Sequence, residues 1–150
     1  MPSRFIHTLA TTSLLCGLLW SLVGCGENFG VDADPKALAV DANGLTQAFA
    51  SNELDARDQY NQKLLLITGK VALVGKESDR FGNITPSLIL SGHNENADKP
   101  VRIHCEFKPS AFEFIRDLTP GTSVVIQGKC TAPLGLIDRQ VSIIECQRIE

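Results

Sequence analysis

Residues 101–130 read VRIHCEFKPSAFEFIRDLTPGTSVVIQGKC, and the fold turns on how this stretch is read. Its opening alternates. Val101, Ile103, Cys105 and Phe107 are apolar, and Arg102, His104 and Glu106 stand between them. Successive side chains of a strand point to opposite faces, so the pattern predicts a strand with one face inward and one outward. Pro109 then opens a short helix, where its missing N–H costs no intrahelical bond. Ala111, Phe114, Ile115 and Leu118 share one side of that helix, and Pro120-Gly121 stops it. Alternation resumes with Val124, Ile126, Gly128 and Cys130 on the inner face of another strand.

Upstream, Leu65, Ile67, Val71 and Leu73 alternate with Leu66, Thr68, Lys70 and Ala72. This is a first strand, with Gly69 in its middle where glycine marks a bulge or bend. A charged loop from Gly75 to Asn83 leads to a second strand, with Ile84, Leu88 and Leu90 inward. Ser91 to Pro100 is a polar connection to the strand quoted above. Downstream, a loop from Thr131 to Asp138 precedes a fifth strand from Val141 to Cys146. Val141 and Ile143 share one parity and Cys146 the other, which a bulge near Ile144-Glu145 reconciles. Before the strands, Asp41 caps a helix with Leu45, Ala48 and Phe49, and Asn52 caps a second with Leu54, Ala56 and Tyr60. The chain is therefore expected to be mainly β. Five strands with a short helix between the third and fourth is the element order of an OB-fold barrel, here with an N-terminal helical extension.

Several of these segments carry a family likeness. They are Asn52-Glu53 ahead of Ala56 and Tyr60, residues 66–71 (LITGKV), residues 101–107 (VRIHCEF), Gly121 through Gly128-Lys129-Cys130, and Val141 through Cys146. From Leu45 to Ile149 the chain resembles the tRNA-anti-like OB-fold domain of bacterial secreted and lipid-anchored proteins. The resemblance implies a fold and no chemistry.

The N-terminus resembles that of a bacterial lipoprotein. Arg4 is the one charge before an uncharged stretch from Leu9 to Val23, which ends in Leu22-Val23-Gly24-Cys25. A charged start, a short apolar run and a small residue at the cut form the secretory pattern. The tetrapeptide looks like a lipobox, which implies cleavage after Gly24 and a thioether-linked lipid on Cys25. Residues 1–24 are then a signal peptide, 25–40 a flexible tether rich in Gly, Asp and Ala, and 41–150 the OB-fold domain with its N-terminal helix. Several acyl chains, at ~0.8 kcal/mol per buried CH₂, hold a membrane where one does not. Gly26 after the Cys, in place of the Asp that favours inner-membrane retention in such lipoproteins, points to the outer membrane, facing the periplasm.

The chain has 14 Lys and Arg against 17 Asp and Glu, a formal net charge of −3. The leader removes Arg4 and no acid, so the mature chain is more acidic still. Trp20 leaves with the leader. A nucleic-acid binder is expected to show a basic face and stacking aromatics, so the composition predicts no nucleic acid among the partners. There is no phosphate loop, no Cys-x-x-Cys and no His-rich motif, so no catalytic residue, cofactor or metal is expected. His93 and His104 read as solvated or structural, and His104 cannot share a metal with Cys105 across a strand. OB-folds take ligands on the second and third strands and on the loops joining strands one–two and four–five. The first loop offers Lys76, Arg80 and Phe81, and the second offers Leu134, Leu136, Ile137 and Arg139. The apolar trio of the second loop either meets a partner or plugs the barrel end. Of the domain cysteines, Cys130 and Cys146 lie on neighbouring strands and are the expected disulfide in an oxidising compartment. Cys105–Cys146, or three buried thiols, are the alternatives.

The reading is a non-enzymatic, lipid-anchored binding module of the bacterial cell envelope, meeting the membrane through Cys25 and an envelope protein or small ligand through its loops. The alternative is an assembly accessory of an envelope complex. The anchor is directly testable: Cys25→Ser leaves an uncleaved precursor that takes up no labelled fatty acid, and equal labelling of both proteins would overturn it.

Overall fold

The computed structural model describes residues 32–78, 81–93, 98, 100–132 and 139–149. The elements run β1 (Leu38–Asp41), α1 (Ala42–Ser51), α2 (Glu53–Tyr60), β2 (Leu64–Ser78), β3 (Ile84–Leu90) and β4 (Arg102–Phe107). A 3-10 turn (Pro109–Ala111) leads into α3 (Phe112–Arg116), followed by β5 (Ser123–Thr131) and β6 (Gln140–Ile149). The five expected strands are β2 to β6. They pair in the order β2-β3-β4-β6-β5, and β2 pairs again with β5, which closes the ring. This is an OB-fold barrel, with the helix between its third and fourth strands.

Closure depends on the length of β2. Its first half, Leu64 to Lys70, pairs antiparallel with β5, and its second half, from Val71 to Ser78, pairs antiparallel with β3. The register shifts between Val71 and Leu73, just past Gly69. A Cβ at Gly69 would stand 2.9 Å from Ala42 Cβ and 3.3 Å from Leu90 Cδ1. The glycine therefore lets α1 approach the strand where it bends.

One expectation is corrected. Leu38 to Val40 lie in the stretch read as flexible tether, yet Leu38–Asp41 forms β1, parallel to Leu65–Thr68 of β2. An unpaired edge on β2 would leave a row of open N–H and C=O groups, and β1 covers it. The amide of Asp34 also donates to Gln127 Oε1 at 2.6 Å. Composition hid this strand, because a four-residue strand held by a neighbour's edge needs little propensity of its own.

The helices begin where expected. Asp41 accepts from Gly44 N at 2.9 Å and Asn52 from Asp55 N at 3.3 Å, each satisfying an orphan amide of a first turn. Leu45 and Phe49 of α1 and Ala56 and Tyr60 of α2 are buried in the core. Thr46 is buried too: its Oγ1 donates to Ala42 O and accepts from His93 N at 2.7 Å, tying α1 to the β3–β4 connection.

In β4 the inward set Ile103, Cys105 and Phe107 is buried, as are Val124, Ile126 and Cys130 of β5. The bulge inferred near Ile144-Glu145 is present. Lys129 pairs with Ile144 but Gln127 with Gln147, and Glu145 has φ 55°. Val141, Ile143 and Cys146 can therefore all be buried despite their conflicting parity. Gly128 faces this bulge. A Cβ there would meet Ile143 Cγ2 at 2.6 Å, Cys146 Sγ at 3.0 Å and the Ile144 carbonyl oxygen at 3.0 Å. Gly128→Ala is expected to cost about 1–3 kcal/mol through overpacking, read as a lower urea midpoint with an unchanged slope. A variant as stable as the wild type would show that the bulge gives way.

Candidate functional site

On the outer face of β2, β3 and β4 the structure gathers polar and apolar side chains that no other element covers among the described residues. Cross-strand pairing sets them side by side. Leu73 lies opposite Ile89, Ile89 opposite His104, and Gly75 opposite Ser87. Leu73 is 55% exposed, which is unusual for a large aliphatic on a strand. Two shallow cavities flank the Leu73–Ile89 pair. One, of about 370 Å³, runs past Gly92, Pro100 and Arg102. The other, of about 180 Å³, is lined by Lys76, Glu77, Ser87, His104 and Gln140.

His104 is the unexpected residue of this face. It points away from the barrel interior, as alternation requires, yet it is only 6% exposed. Glu77 Oε1 stands 2.7 Å from its Nε2, and Glu106 Oε1 stands 3.7 Å from its Nδ1. The approach to Nε2 is off the line of a ring N–H bond, so this buried nitrogen has no hydrogen-bond partner. Sequence reasoning classed His104 as solvated or structural and did not connect it with Glu77. The two are 27 positions apart in the chain, and only the β2–β3–β4 pairing brings them together. Alternation alone contained no signal for this.

Of the loop residues expected to bind, Lys76 lies exposed on β2, and Phe81, at the tip of the β2–β3 hairpin, is 77% exposed. Arg139 is exposed at the start of β6 with φ 53°, next to Gln140. Lys76 and Gln140 therefore border the same cavity from opposite sides. Arg80, Leu134, Leu136 and Ile137 lie outside the described residues, as does Cys25.

The expected Cys130–Cys146 disulfide is corrected: Cys105, Cys130 and Cys146 are all free and buried. The hairpin register is the reason. Cys130 pairs with Ile143, three residues before Cys146, which lies opposite Phe107 of β4. There its thiol donates to Ile143 O at 3.2 Å. Burial pushes the Cys130 thiol up to about 12. Burial, and then a hydrogen bond with Cys105, hold the Cys146 thiol well above its ordinary range. A thiol kept protonated is a poor nucleophile, so burial disfavours the reactive form of Cys130 and Cys146.

The sequence profile of the tRNA_anti-like family matches residues 21–141. No curated protein matches the chain. Among solved structures, the chain is similar to a lipoprotein of Klebsiella pneumoniae assigned as a candidate nucleic acid binder, with a TM-score of 0.61 and 15% identity over 76% of this chain and 92% of that one. It is also similar to the mitochondrial single-stranded DNA-binding protein Rim1 of S. cerevisiae, with a TM-score of 0.41 and 8% identity over 60% of this chain and 96% of that one. A third similar structure is that of yeast Stn1 and Ten1, with a TM-score of 0.43 and 9% identity over 77% and 64%. The likeness to the lipoprotein establishes the fold. The lipoprotein likeness corrects the exclusion of nucleic acid made from composition, since the chain shares its fold with a protein assigned as a candidate nucleic acid binder. Net charge sums over the whole surface and does not describe one face of a barrel, so it could not support the exclusion.

The thiol assignment is open to a direct check. Denatured without reductant, the protein should be alkylated by iodoacetamide at Cys105, Cys130 and Cys146, and the folded protein at none of them. A bridged peptide in the non-reduced digest would overturn it.

Proposed function

The chain belongs to the tRNA_anti-like family, and from that premise we propose that it is a non-enzymatic, lipid-anchored OB-fold binding module of the bacterial cell envelope. The exposed face built on Leu73 and Ile89, with Phe81 at its hairpin tip, carries the reading. A β-barrel has no packing reason to leave large apolar side chains outward and adjacent, and such patches mark contact sites. OB-folds take ligands on the second and third strands, here β3 and β4, and on the loop that Phe81 belongs to, and Ile89 lies on β3. The anchor is the lipid on Cys25, at the outer membrane facing the periplasm.

Single-stranded nucleic acid is the first ligand to test, because the similar Klebsiella lipoprotein was so assigned. A flexible strand would lay its bases on the aliphatic pair and on Phe81, where base–aromatic stacking is worth about 1–3 kcal/mol. Arg102 at one end of the groove and Lys76 at the other are placed to meet phosphates.

The experiment is chemical-shift mapping on the full chain in detergent, titrated with single-stranded DNA and RNA. Shifts concentrated at Leu73, Phe81, Ile89 and Arg102, abolished by Leu73→Ser with Phe81→Ser, are expected. Both side chains are exposed, so the double variant should keep the melting temperature of the wild type. Shifts confined to the opposite side of the barrel would overturn the assigned face. If neither nucleic acid binds and the exposed face instead carries an envelope protein, the chain is an assembly accessory of that complex.

A further inference from the structure

The geometry points to a divalent transition-metal site, suited to Zn²⁺, formed by His104, Glu77 and Glu106 on the outer face of the barrel. It does not rest on the identity of the ligand considered above. One donor atom from each of the three residues lies within 4.8 Å of the other two. Convergence of exposed acids would mean little alone. The second observation is the imidazole: His104 is 6% exposed, and its Nε2 is buried without a hydrogen-bond partner while Glu77 Oε1 stands 2.7 Å away.

Two arrangements could account for a ring nitrogen this close to a carboxylate. In an imidazolium, Nε2–H would lie on the line to the oxygen, because a charge-assisted hydrogen bond rewards alignment. It does not lie on that line. In a neutral ring with its lone pair on Nε2, two electron-rich atoms face each other and repel. A cation shared between them removes the repulsion and turns both into ligands. The charge also balances, since two carboxylates converge on one neutral imidazole and a divalent ion cancels them.

The donor set selects the class of ion. One imidazole nitrogen with two carboxylate oxygens suits Zn²⁺ and its neighbours, whereas Mg²⁺ and Ca²⁺ prefer oxygen alone. Tetrahedral bonds of about 2.0–2.2 Å set neighbouring donors farther apart than the 2.7 Å between Nε2 and Glu77 Oε1, so Glu77 must draw back slightly while Glu106 closes in. Both are free to move, because the side chains of Glu77 and Glu106 are 53% and 43% exposed, while His104 is 6% exposed within the sheet. Three protein ligands leave a position for water, which the adjoining cavity of about 180 Å³ supplies. Ser87 and Gln140 line that cavity and are placed to orient the water.

The test is calorimetric titration of the full chain in detergent with ZnCl₂, together with Co²⁺ absorption spectra. One equivalent of zinc should bind, Mg²⁺ should not compete, and the Co²⁺ spectrum should lack thiolate charge-transfer bands. His104→Gln should weaken zinc binding about tenfold or more, as loss of the only nitrogen ligand implies. Glu77→Gln should weaken it as well. Because the Glu77 side chain is half exposed, this variant tests the site even if His104→Gln folds poorly. Unchanged affinity in Glu77→Gln, thiolate bands with Co²⁺, or no zinc binding by the folded wild type would each overturn the assignment.

Discussion

The barrel depends on one strand changing partners. β2 leaves β5 and takes up β3 within a few residues, and the hydrogen bonds at that point show how. Val71 donates its N–H to Thr122 O and accepts from Gly121 N, while Ser91 N donates to Lys70 O. The turn before β5 and the end of β3 therefore grip β2 from both sides at its bend. A strand that turns so sharply needs a residue without a Cβ on its crowded side, and Gly69 is that residue, with α1 against it. The register shift that follows moves Val74 inward and leaves Leu73 outward. The exposed face is thus a consequence of barrel closure.

Much of the fold was legible because burial imposes a period on each strand. Ile103, Cys105 and Phe107 could be placed inward from their spacing alone, and the parity conflict between Ile143 and Cys146 located a bulge. What the period could not report is the register of one strand against another. That register sets Cys130 opposite Ile143 and leaves Cys146 three residues further along β6. β1 was illegible for a related reason. Its place depends on the open edge of β2, a property of a distant segment.

The site was less legible than the fold. Alternation says which way His104 points, and that left it solvated or structural. Which of the two holds depends on what else reaches the same face. Here Glu77 and Glu106 approach the ring, one from β2, across β3, and one from two positions along the same strand. A polar side chain shielded by acids from elsewhere is invisible to any pattern within one strand. The failed exclusion of nucleic acid has the same origin, because a summed charge discards where the charges lie.

β1 also changes how the proposed anchor would act. Asp34 is already bound to Gln127, so the barrel's grip on its own N-terminal segment begins there. Between Cys25 and Asp34 the chain spans at most about 30 Å when fully extended, at ~3.3–3.6 Å per residue. An anchor on Cys25 would therefore hold the barrel within roughly its own diameter of the bilayer. The attachment would enter beside β5, at Gln127. The exposed face takes only the second half of β2, from Leu73, with β3 and β4, whereas β5 pairs with the first half of β2 and with β6. A barrel tethered closely at one strand keeps its opposite strands turned from the tether, so the paired strand that hid in the linker would help to present the exposed face.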